Sequence, residues 1–190
     1  MLLAVGVLAC GATPSPAPTG SGAAAQPSPP PIAAADCTVQ QPPGPADGPP
    51  ANNDEMDTSD DGPGRWHLCL NAPTTVSIEG SAWCRWNAER TGVDEVTGLP
   101  VAGGGVEYDA WLSFPAAAFE LHLTDRGHDG AIANYVPAAG LPAVTTDAAH
   151  VQGGLPVDVK VVADEGVTPP GAPVGIAGQL AWSCGNPPAA

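Results

Sequence analysis

From Arg65 onward the chain alternates apolar and polar residues with a period of two, the signature of half-buried β-strands. Trp66-His67-Leu68-Cys69-Leu70 opens the pattern. Val76, Ile78, Gly80, Ala82, Cys84 and Trp86 then alternate with Ser77, Glu79, Ser81, Trp83 and Arg85. Val106, Tyr108, Ala110, Leu112 and Phe114 alternate with Glu107, Asp109, Trp111 and Ser113, and Phe119, Leu121 and Leu123 with Glu120, His122 and Thr124. Residues 125–130 read as a hairpin connection, because Asp-Gly supplies positive φ cheaply, and 131–136 return. A weak strand near 150–152, a strand over 157–163 and a last one over 176–184 complete the series. Residues 88–105 read as a long loop, with Gly103-Gly104-Gly105 a turn or bulge before a strand. No stretch carries a capped 3.6-residue period. About seven or eight short antiparallel strands imply an all-β domain, a sandwich or a barrel; the expected form is an antiparallel β-sandwich, immunoglobulin-like or jelly-roll-like.

Composition sets the limits of that domain. Of 190 residues, 24 are Gly and 24 are Pro. Residues 11–36 are almost wholly Ala, Pro, Ser, Thr and Gly, too poor in apolar surface to offset the entropy of ordering. They form a linker with a reach of roughly 30 Å as coil. The folded unit is expected over 37–184, its first part (37–64) an acidic, loop-rich stretch, with 185–190 a disordered tail. Five Lys+Arg against 20 Asp+Glu leave a formal charge of −15. Such a surface repels phosphate backbones and anionic head groups, which argues against a nucleic-acid partner or a polybasic membrane grip.

The N-terminus is apolar or small throughout, MLLAVGVLA, and Cys10 follows directly. Val7-Leu8-Ala9-Cys10 resembles the lipobox of bacterial lipoproteins. The resemblance implies that Cys10 accepts a lipid and becomes the mature N-terminus, and that the protein is held at the membrane in the cell envelope. No Lys or Arg precedes Arg65, whereas a secretory leader carries a basic first segment. Residues 1–9 are therefore expected to be the end of a leader that starts upstream. A lipidated cysteine, a Pro/Ala tether and a two-bridge β domain also look like the mycobacterial surface lipoprotein antigens in layout.

Setting Cys10 aside leaves Cys37, Cys69, Cys84 and Cys184, an even set suited to two bridges in an oxidising compartment. Three connectivities are open. Cys84 and Cys184 lie on inward-facing sets beside Trp86 and Trp182, so the favoured pairing joins them across the core and leaves Cys37–Cys69 to close the acidic loop. No CxxC pair supports a zinc ribbon.

Four constellations could carry chemistry. Asp57, Ser59 and Asp61, with Gly62, partly fit a calcium loop, although Leu68 stands where the bidentate acid belongs and no helices flank it. Asp125, His128 and Asp129, with His122, could bind a metal or act as base and orienter; their other reading is turn chemistry. Trp83 and Trp111 fall on the polar faces of their strands, beside Arg85 and Asp109, and exposed rings next to hydrogen-bonding groups suit sugar stacking. Their alternative is packing under a second layer. Glu107 and Asp109 form the best carboxylate pair for a hydrolase, but no GxSxG, HxH or HExxH occurs. The expectation is a lipid-anchored envelope protein that works by binding or surface presentation, without catalysis or cofactor, its partner an envelope glycan or another surface protein. A carbohydrate-binding module and a small envelope hydrolase are the rivals.

Overall fold

The computed structural model describes residues 37–39, 60–115, 118–125, 130–163 and 171–188. The calcium-loop candidates Asp57 and Ser59, the hairpin-tip residues His128 and Asp129, Cys10, the leader and the linker lie outside the described residues.

Nine strands follow one another: β1 (Asp61–Ala72), β2 (Val76–Trp86), β3 (Val93–Gly103), β4 (Val106–Ser113), β5 (Ala118–Asp125), β6 (Ala131–Pro137), β7 (Thr145–Thr146), β8 (Gln152–Val162) and β9 (Gly175–Cys184). All pairings are antiparallel. The order β6-β5-β4-β3-β2-β1-β9-β8 is closed by a β6–β8 pairing, so eight strands form a barrel and β7 is a two-residue addition to β8. The all-β, antiparallel, two-disulfide domain is therefore present, and of the sandwich and the barrel the chain takes the barrel. Each barrel strand pairs with its successor, and β9 returns to β1. No Greek-key crossing is needed, and closure leaves the sheet without a free edge over most of its length.

The alternation fixes which side chains point in. Trp66, Leu68 and Leu70, then Val76, Ile78, Ala82, Cys84 and Trp86, Tyr108, Ala110 and Leu112, Phe119, Leu121 and Leu123, and Ile176, Leu180, Trp182 and Cys184 all belong to one core cluster. An eight-stranded barrel has an interior just wide enough for its own side chains. Here the fit depends on glycine opposite tryptophan. Gly80, Trp66, Trp182 and Gly153 are successive cross-strand neighbours on β2, β1, β9 and β8. A Cβ on Gly153 would lie 2.6 Å from the Trp182 ring, and one on Gly98 2.8 Å from Trp66.

Both bridges follow the favoured pairing, Cys37–Cys69 and Cys84–Cys184. β2 and β9 flank β1, so Cys84–Cys184 crosses over it. Gly64 pairs with Cys184, and a Cβ there would lie 2.5 Å from Cys84 Sγ. Gly62-Pro63-Gly64 is thus strand, not loop, and β1 starts four residues earlier than the pattern suggested. Pro63 sits beyond the last β9 pair and accepts a hydrogen bond at its carbonyl from Gly185 N–H at 2.7 Å.

Two further segments differ from expectation. The presumed loop 88–105 contains β3, with bulges against β2 and β4. Val93 and Val96 both point inward although three residues apart, which breaks the period of two. Gly104 and Gly105, with φ of 62° and 92°, make the two-residue turn into β4. The weak strand expected near 150–152 and the strand expected over 157–163 are one strand, β8. Pro156 falls between the residues of β8 that pair with β7 and those that pair with β6, where a missing N–H costs no ladder bond.

Candidate functional site

Phase places Glu107, Asp109, Trp111 and Ser113 on the outer wall of β4, and register brings β5 beside them. Trp111 pairs with Glu120, Asp109 with His122, and Glu107 with Thr124. His122 Nδ1 lies 2.6 Å from Asp109 Oδ1, and its Nε2 lies 3.5 Å from Glu120 Oε2. The Asp109 hydrogen bond raises the His122 pKa above that of free histidine, against the opposing effect of partial burial, with further support from the charges of Asp109 and Glu120. A carboxylate on each ring nitrogen favours imidazolium and leaves neither nitrogen for a substrate proton. The two carboxylates also lie on opposite sides of the ring, so the three groups share no point where a metal could sit. Hydrolytic use of Glu107 and Asp109 draws no support from this arrangement.

Trp83 and Trp111 share one outer-wall row: both pair with Thr97 of β3, which stands between them. They differ in exposure. Trp111 is half-buried, whereas Trp83 is 2% exposed, so the two-ring platform suggested by phase reduces to Trp111. Burial of Trp83 belongs to a wider sector: the outward-phase Asp61, Cys69, Ala181 and Ser183 are buried as well. Exposed Arg85 bridges this sector to the open wall, pairing with Asp61 at 3.4 Å and Glu95 at 3.6 Å. As a strand residue ion-paired to Arg85, Asp61 is not placed as a free calcium ligand.

Sequence reasoning did not foresee the other concave feature. A groove of about 540 Å³ crosses the outside of β8 and β9, within the size range of small-ligand sites. Thr38, Asp147, Gln152 and Gln179 contribute polar groups to it, Pro156 and Ala181 an apolar floor. Its rim includes Cys37. Beside that cysteine, His67 on β1 accepts or donates at both nitrogens: Nδ1 is 3.0 Å from the Thr38 carbonyl, and Nε2 is 2.9 Å from Ser77 Oγ and 3.4 Å from Cys69 Sγ. The groove's lining residues come from segments far apart in the chain, so no local pattern marks it.

No family model, curated protein or solved structure matches this chain.

Proposed function

We propose that this is a lipid-anchored cell-envelope protein whose barrel is a binding or surface-presentation domain without catalysis, its partner an envelope glycan or another surface protein. The observation that carries the reading is the Cys37–Cys69 bridge. Cys37, the first cysteine after the Pro/Ala tether, is covalently fastened to β1 and sits on the rim of the groove. An oxidised chain suits an extracytoplasmic compartment, and the lipobox-like Val7-Leu8-Ala9-Cys10 supplies the anchor. The tether would then present the groove at a fixed attachment point.

A carbohydrate-binding reading is favoured by one observation, the half-exposed Trp111 ring beside Asp109 and Glu120. Ring stacking with flanking carboxylates suits a sugar.

Two measurements test these readings. Full-length protein should carry a lipid at Cys10 and partition with membranes, and Cys10→Ala should release it; a Cys10 that is unmodified in membrane-fraction protein overturns the anchor. In a thermal-shift panel of peptidoglycan fragments and polysaccharides, a ligand at a hundred times its Kd adds about 2.7 kcal/mol, a rise of a few degrees. A saccharide shift lost in Trp111→Ala assigns the open wall. A shift that survives Trp111→Ala but is lost in Gln179→Ala assigns the groove. A flat panel removes the glycan reading and leaves a protein partner.

A further inference from the structure

Cys37, His67 and Cys69 bring their Sγ and imidazole nitrogen atoms within 4.8 Å of one another. We propose that this cluster is a redox-gated site: a structural bridge when oxidised, and a Cys2His site for a thiophilic d10 cation, Zn²⁺, when reduced.

The imidazole is set up as a ligand. Its Nδ1 lies 3.0 Å from the Thr38 carbonyl, which can only accept, so Nδ1 carries the proton and Nε2 presents its lone pair. A backbone carbonyl behind the ring is the partner that commonly fixes the tautomer of metal-bound histidine. Nε2 faces Cys69 Sγ at 3.4 Å. With Zn–S near 2.3 Å and Zn–N near 2.0–2.1 Å, a tetrahedral edge between sulfur and nitrogen is about 3.5 Å. That edge therefore already exists in the bridged form. Ser77 pairs with Cys69 across β1 and β2 and holds its Oγ 2.9 Å from the same nitrogen, so its hydroxyl or a water could complete the set. The sulfur–sulfur separation has to grow, with Cys37 Sγ taking its place in the set from within 4.8 Å. Cys37 can supply that movement because it lies outside the barrel strands, while Cys69 is held on β1. The other bridge is differently placed: Cys84 and Cys184 lie fully buried in the core cluster, and among the described residues the only group of three His/Cys/Asp/Glu within ligating distance is the Cys37-His67-Cys69 one.

The chemistry balances with a dithiol reductant. Its two thiols become a disulfide, the Cys37–Cys69 bond takes up two electrons and two protons, and two thiols result. Zinc then binds both sulfurs as thiolates and releases those two protons, since the thiolate is the ligand. Two thiolates and an imidazole form a soft set that prefers zinc to calcium or magnesium.

The test uses the full chain, reduced with a phosphine so that no added thiol competes for metal. Co²⁺ serves as the visible probe and Zn²⁺ as the displacing ion. The reduced protein should take up a single equivalent of Co²⁺ with thiolate-to-metal charge-transfer absorption, lost on adding Zn²⁺; the non-reduced protein should show none. His67→Gln leaves all the thiols in place and should weaken Zn²⁺ binding by at least the roughly 10-fold seen when mere outer-shell partners are removed. Cys37→Ser should abolish it. Absence of the band in reduced protein with its thiols titratable overturns the proposal. So does Zn²⁺ affinity that is unchanged in reduced His67→Gln, which would mark the ion as held by cysteines of an opened chain.

Discussion

The surroundings of His122 raise its pKa, and two strands produce the shift. Asp109 reaches it from β4 and Glu120 from its own strand. The folded-state pKa lies above the unfolded value of about 6.5, so protonation favours the folded state. This contribution is fully present below about pH 6.5 and is lost as pH rises through the raised folded value. Unfolding by urea should therefore show the wild type losing stability relative to His122→Gln as pH is raised above 6.5. A wild-type advantage that stays constant across that range removes the imidazolium from the account. The same pair shows why Asp109 was hard to interpret alone. A carboxylate beside Trp111 suits a sugar hydroxyl, but its actual partner comes from a strand 13 residues away.

Strand β3 lies in a segment that sequence reading took for a loop, and it carries a glycine with no room for a side chain. Gly98 faces inward from β3, and the ring of Trp66 lies where its side chain would be. Trp66 is 1% exposed inside a closed wall and has no open side to move into. Gly98→Ala should cost about 1–3 kcal/mol by overpacking, measured by urea or thermal unfolding. In a Trp66→Phe background the cost should shrink, because the two positions share the same space. An alanine tolerated without loss would mean that the ring has room to shift. Periodicity failed over this strand for a definite reason. Two bulges and Pro100 interrupt the alternation, and a bulge is set by the neighbouring strands, not by the bulged segment alone. Gly62-Pro63-Gly64 misled in the same way: it looks like a turn, yet a side chain on Gly62 would meet the Trp86 ring and one on Gly64 the Cys84 sulfur.

At the scale of the molecule, closure and cross-linking act together. Cys84–Cys184 spans 100 residues and Cys37–Cys69 spans 32. By the chain-entropy model these are worth about 4.7 and 3.7 kcal/mol, the longer loop losing more freedom in the unfolded chain. Cys84→Ala/Cys184→Ala should therefore lower stability more than Cys37→Ala/Cys69→Ala in non-reducing denaturation. The loss of packing inside the barrel widens the gap, since both Cys84 and Cys184 are fully buried. The reverse order would show that the outer bridge holds more structure than the strand it joins. A formal charge of −15 adds self-repulsion that these bridges help to offset.

Sequence by itself determined the all-β class, the antiparallel strands, the inward set on most of them and the favoured disulfide pairing. The reason is that alternation with a period of two is a local property, and cysteine phase follows from it. Barrel closure was decided only by tertiary structure, because the β6–β8 pairing joins segments that carry no mark of each other. Exposure was decided there too. Phase says which way Trp83 and Trp111 point but not what lies above them, and one is buried while the other is half open. The groove and the Cys37-His67-Cys69 cluster belong to the same category. Each gathers residues from distant segments of the chain, and proximity of that kind depends on how strands are ordered around the barrel.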